Sequence, residues 1–98
     1  MKREQIAKNI VADLKELAAL TSDADGAQRV AWTPTFKKAT EWFAQKMQAA
    51  GADVWTDAAG NSWAKFAGES EDCIVIGSHL DSVPDGGWLD GALGVVAG

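Results

Sequence analysis

Apolar side chains recur at Ile6, Ile10, Val11, Leu14, Leu17 and Leu20, mostly in steps of three and four. Lys2, Arg3, Glu4, Lys8, Asp13, Lys15 and Glu16 fall largely on the other side. That period predicts an amphipathic packing helix over residues 2–20 with a solvated charged face. Thr21-Ser-Asp-Ala-Asp-Gly26 has turn chemistry and ends it. Residues 27–34, with Arg29 and Trp32, read as a connecting segment. Thr33 before Pro34 has the form of an N-cap followed by proline at the first helical position, where the missing N–H costs nothing. A second helix is predicted over 35–50, its buried stripe marked by Phe36, Thr40, Phe43, Met47 and Ala50. Gly51 stands where a left-handed C-cap belongs.

Beyond Gly51 the period shortens. Val54-Trp55-Thr56 and Ser62-Trp63-Ala64-Lys65-Phe66 read as short strands, and Asp57-Ala-Ala-Gly60-Asn61 between them has the residues of a tight reversal, so a hairpin is expected. After a polar turn at 68–72, Cys73 to Ser78 is apolar without alternation, the pattern of a strand covered on both faces. Small and aliphatic residues after Asp90 read as the start of a further helix. Two helices, a hairpin, a buried strand and a helix start predict an α/β layer architecture. No internal repeat, low-complexity tract or linker interrupts it.

Composition narrows the class. The 98 residues carry a net charge of −5, which argues against a nucleic-acid partner, since that would need a basic patch. No run of eighteen apolar residues provides a membrane span. The first residues lead into an amphipathic pattern rather than a signal-peptide block. A single cysteine forms no internal disulfide, and the expected compartment is the cytoplasm. Cys73, inside the apolar run, is expected to be an inert core thiol. Five tryptophans and three phenylalanines imply more aromatic area than so short a chain can cover, a sign of a piece of a larger protein.

The chemistry gathers in the last stretch. His79, the single histidine, follows the apolar run directly, where α/β sheets carry functional loops. Neutral imidazole is a common metal ligand. Asp81 is placed to accept a hydrogen bond from the far ring nitrogen of His79, which would orient it. Pro84-Asp85-Gly86-Gly87 forms a turn, with Asp85 a turn former, that could return Asp90 toward His79; a carboxylate can bridge two cations. A hydrogen-bonded surface histidine is the plainer reading of His79, and residue chemistry leaves both open. Trp88 is either core or a shield against water. A nucleophilic triad of Ser78, His79 and Asp81 is unfavourable, because near-adjacent residues on one strand seldom converge with the base in the middle. The glycines from 91 to 98 fit neither nucleotide-loop pattern.

The segment Gly77-Ser-His-Leu-Asp-Ser-Val-Pro-Asp-Gly-Gly-Trp-Leu-Asp-Gly-Ala-Leu-Gly-Val resembles the first metal-binding segment of the amidase and carbamoylase branch of the M20 metallopeptidase-like superfamily, which includes N-carbamoyl-L-amino acid hydrolases, allantoate amidohydrolases and β-ureidopropionases. Trp32-Thr-Pro and Asp57-Ala-Ala-Gly-Asn look like the same family, so the likeness covers nearly the whole chain. The short interval between the His79/Asp81 pair and Asp90 favours this branch over aminoacylases and dipeptidases, which usually carry a longer insertion there.

By position, the resemblance implies that His79 ligates one metal, Asp90 bridges two, and Asp81 is the catalytic-site acid that orients His79. It implies a cofactor of two divalent ions, with zinc favoured and manganese, cobalt or nickel as alternatives. It further implies a small-molecule N-carbamoyl or amide substrate and a homodimeric intact protein, with neither nucleic acid nor membrane as partner. Residues 1–98 would be the N-terminal portion of the catalytic domain. The general-base glutamate, the remaining ligands and the lid and dimerisation domain would lie beyond residue 98, leaving this piece inactive alone. The expected function is hydrolysis of linear amide or carbamoyl C–N bonds, as in N-carbamoyl-L-amino acids or allantoate. An aminoacylase or dipeptidase, or a non-catalytic domain of the same ancestry, is the alternative.

Overall fold

The structure, a computed structural model, describes residues 2–98. Helix α1 spans Arg3–Thr21, followed by two-residue strands β1 (Ser22–Asp23) and β2 (Gly26–Ala27). Helix α2 spans Pro34–Ala49, strands β3 and β4 span Asp53–Thr56 and Ser62–Lys65, and helix α3 spans Ala92–Ala97. Three helices and two antiparallel hairpins make this a small α/β fold. The chain divides into two units, residues 2–39 with 76–98, and residues 40–75.

In the first unit α1 packs against α3. The predicted apolar stripe of α1 is only half used: Leu14 and Leu17 are buried, whereas Ile6, Val11 and Leu20 are exposed. Burying Leu17 completely contributes about 2 kcal/mol. Thr21 closes the helix by donating its hydroxyl to the Leu17 carbonyl at 2.7 Å. The expected turn over 21–26 is a miniature hairpin, with Ser22 opposite Ala27 and Asp23 opposite Gly26. Ala27 then exchanges both backbone hydrogen bonds with Gly86, each at 2.9 Å, so the presumed connecting segment is the backing of the loop after His79.

Helix α2 begins as its sequence dictates. The Thr33 hydroxyl accepts the Phe36 N–H at 3.2 Å, the N-cap to N3 bond, with Pro34 at the first position. Its buried residues are Ala39 and Trp42, with Phe36, Thr40, Phe43 and Met47 half-buried and Ala50 exposed, so the inward face is turned one position from the predicted stripe. At the other end Gly51 takes φ 96, its N–H reaches the Gln48 carbonyl at 3.0 Å, and the Ala52 N–H reaches Met47 at 2.9 Å. Those two bonds are the Schellman pair that satisfies terminal carbonyls.

In the second unit β3 and β4 pair from Asp53↔Lys65 to Thr56↔Ser62. Trp55 lies opposite Trp63, and the rings stack with centroids 6.0 Å apart and planes 6° from parallel. Asp57 closes the turn. Its carboxylate accepts from Ala59 N–H (3.0 Å), Asn61 N–H (2.9 Å), Asn61 Nδ2 (3.0 Å) and Trp63 Nε1 (2.8 Å).

One element departs from expectation. Residues 73–78 form no strand among the described residues; Ile74 is 92 % exposed, and Val75 and Ile76 are also exposed. An extended segment becomes a strand only when neighbours take its N–H and C=O groups, and no described segment does so. For the same reason Cys73 is an exposed free thiol rather than a core residue.

Candidate metal centre

The loop from His79 to Asp90 is held from beneath. Along 79–82 burial alternates with the period of an extended chain: Leu80 and Ser82 point inward, while His79 is exposed and Asp81 half-buried. The Ser82 N–H donates to the Arg29 carbonyl at 2.8 Å, and the Arg29 N–H donates to the Ser82 hydroxyl at 3.0 Å. This pairing orients the outward side chains.

His79, Asp81 and Asp90 come together. His79 Nδ1 lies 3.0 Å from the Asp81 carbonyl oxygen and 3.3 Å from its Oδ1. The main-chain oxygen of Asp81 is thus the nearer acceptor, with the carboxylate beside it. Placing the proton on Nδ1 leaves Nε2 as a lone-pair donor. Nε2 lies 3.7 Å from Asp90 Oδ2. That separation is too long for a good hydrogen bond. Two donors on one tetrahedral zinc would lie about 3.4 Å apart, so the pair suits a shared cation. All three side chains are substantially solvent-accessible, so a cation could reach them.

Asp90 is aimed by the next residue. Gly91 adopts φ 71 and ψ −50, and the Ala92 N–H bonds the Asp90 carbonyl at 2.7 Å, closing a γ-turn that opens α3. A Cβ at Gly91 would lie 2.3 Å from the His79 carbonyl oxygen and 2.5 Å from its ring, so glycine lets the imidazole and Asp90 approach.

The residue that sequence reasoning passed over is Arg29. It is fully buried, and its Nε donates to the Leu80 carbonyl at 2.6 Å. Nη2 lies 3.5 Å from the carbonyls of both Trp88 and Asp90, while Nη1 is buried without a partner. Burial lowers the Arg29 pKa, opposed by the charges of Asp81 and Asp90, and a guanidinium remains protonated regardless. A lone arginine between Gln28 and Val30 carried no periodic signal. Trp88 is 38 % exposed and so not core, and its carbonyl faces Arg29 Nη2.

A second group of acids, Asp23, Asp25 and Asp85, brings one carboxylate oxygen each within 4.8 Å of the others. Hydrogen bonds account for it. Gln28 Nε2 donates to Asp23 at 3.0 Å and Asp85 at 2.7 Å, its Oε1 accepts the Asp85 N–H at 3.1 Å, and the Asp25 N–H caps Asp23 at 2.9 Å. The Gln28 bond, followed by the Asp25 N–H, holds the Asp23 carboxyl below its ordinary pKa.

No family model matches the chain. Known proteins do. The N-carbamoyl-L-amino-acid amidohydrolase of Paenarthrobacter aurescens is 36% identical over 92 residues, which are 92% of this chain and 22% of that protein. Allantoate deiminase 1 of Glycine max is 39% identical over 90 residues, 89% of this chain and 18% of the relative. Among solved structures, an amidase of the hydantoinase/carbamoylase family from Burkholderia phymatum superposes with a TM-score of 0.80 at 38% identity, over 90% of this chain and 22% of that one. The class to which these relatives belong is that of the amidohydrolases. Within it, the chain is homologous to a segment of the hydantoinase/carbamoylase family, together with the allantoate-cleaving enzymes. It spans about a fifth of the length of these relatives.

Proposed function

We propose that this chain contributes part of the metal centre of a hydrolase that cleaves C–N bonds in linear amides or carbamoyl compounds, with N-carbamoyl-L-amino acids or allantoate as the substrate class. The observation that carries the reading is the 3.7 Å approach of His79 Nε2 and Asp90 Oδ2, with Nδ1 occupied by Asp81. The names of the relatives favour carbamoyl and allantoate substrates over N-acyl amino acids or dipeptides.

In this reading His79 and Asp90 would hold the divalent cations, zinc foremost, with Asp90 the carboxylate shared between them. Those cations would supply Lewis-acid polarisation of a carbonyl and of a water. Asp81 would hold the His79 proton on Nδ1, which would leave the Nε2 lone pair free for a cation. Two donors do not complete a four-coordinate site, and a general base is also needed. The isolated 98 residues are therefore proposed to be inactive, and the complete protein to be a cytoplasmic homodimer. No described helix is long and apolar enough to cross a membrane.

His79→Ala or Asp90→Ala in the full-length protein should abolish metal loading, measured by elemental analysis after gel filtration, and turnover of N-carbamoyl amino acids and allantoate. Wild-type loading and turnover in either variant would refute the assignment.

A further inference from the structure

Burying a guanidinium costs several kcal/mol unless it is paired, and Arg29 makes no hydrogen bond to any described carboxylate. Its partners are backbone carbonyls on two arms of one loop. Leu80 directly follows His79, and Asp90 is the other candidate ligand, with Trp88 two positions before it. The arms are ten positions apart in sequence, and only a planar fork with several fixed donors spans them. A lysine offers a single point of charge and an apolar residue offers none. If packing were the purpose, a well-packed apolar side chain would fill the volume at lower cost. The same residue's main chain pairs with Ser82, so Arg29 grips the loop with backbone and side chain together.

We infer that Arg29 is the positioning residue of the His79–Asp90 centre, its buried guanidinium tying the Leu80 and Asp90 carbonyls together and so setting the separation between the two ligands. The inference rests on the metal-centre reading above. Arg29 touches no cation or substrate; it acts through the backbone of the residues that do.

The test uses the full-length protein with Arg29→Lys, Arg29→Met and His79→Ala. Zinc affinity is read by competition with a chromophoric chelator, ligand geometry by the visible absorption of the Co²⁺-substituted protein, and fold by circular dichroism and Tm. Arg29→Lys should fold, with Tm largely restored relative to Arg29→Met. Both variants should bind zinc about 10- to 100-fold more weakly, the loss typical when a group that orients ligands is removed, and should show an altered Co²⁺ spectrum. A merely structural role predicts the reverse pattern, in which lysine restores affinity and spectrum along with Tm. Wild-type affinity and spectrum in a folded Arg29 variant overturns the inference, and so does failure of both variants to fold, which would make Arg29 a folding residue. Normal zinc loading by His79→Ala would instead remove the metal-centre reading itself, so the two failures are distinct.

Discussion

At Gly91 two constraints coincide in one residue. The γ-turn requires φ 71 with ψ −50, a sparsely populated region that costs an L-residue about 1–3 kcal/mol, and the space where a Cβ would stand holds the His79 carbonyl and imidazole. Gly91→Ala must therefore push His79 or Asp90 aside. In the full-length protein it should weaken zinc binding by about tenfold or more and destabilise the fold by roughly 1–3 kcal/mol, measured by chelator competition and urea denaturation. Unchanged affinity would show that the 3.7 Å approach of the two side chains does not govern metal binding. His79, Asp81 and Asp90 were legible one by one because their types carry chemistry. Arg29 was not. Its importance lies in what buries it, and the flanking Gln28 and Val30 say nothing of that.

The β3–β4 hairpin shows how much one side chain can do for an element. Four donors converge on Asp57, and the Trp63 indole, then Asn61, pull its pKa from 3.8 down to about 2. A depressed carboxyl stabilises the folded form fully above its unfolded pKa and ceases to do so as pH falls through the folded one. The turn should therefore hold at neutral pH and loosen between roughly pH 4 and pH 2. In NMR titrations the Trp63 indole N–H and Asn61 amide should shift together with a midpoint near 2, and Asp57→Asn should flatten that transition. A midpoint at an ordinary carboxylate value would show that Asp57 is not the clamp. The turn of this hairpin, the Thr33 N-cap and the Gly51 C-cap were readable because every bond in them joins residues within about six positions. The α2 stripe was readable only to within one position, since which of two adjacent rows turns inward is decided by neighbours outside the helix.

At the scale of the whole molecule, the apolar segment from Cys73 to Ser78 has no strand partner among the described residues. Ile74, Val75 and Ile76 lie exposed, with backbone groups that no described strand takes. Such an edge is a template for pairing with other chains. The isolated 98 residues should self-associate at micromolar concentration in light scattering, and Ile74→Lys should reduce it. The same preparation should bind zinc only weakly by calorimetry, since the chain offers two converging donors. Tight stoichiometric binding would mean that other groups, such as the Asp23, Asp25 and Asp85 cluster, complete a site. Sequence by itself determined the helices, the two caps of α2, the hairpin turn and the residue types of the candidate site, because period, caps and turns are set by neighbours along the chain. Only the tertiary structure decided that residues 27–29 back the loop at 80–90, through bonds such as Arg29 to Ser82, 53 positions apart. It also decided that the apolar run lacks a partner here. Those outcomes depend on which distant backbone groups meet, and a local pattern carries no record of that.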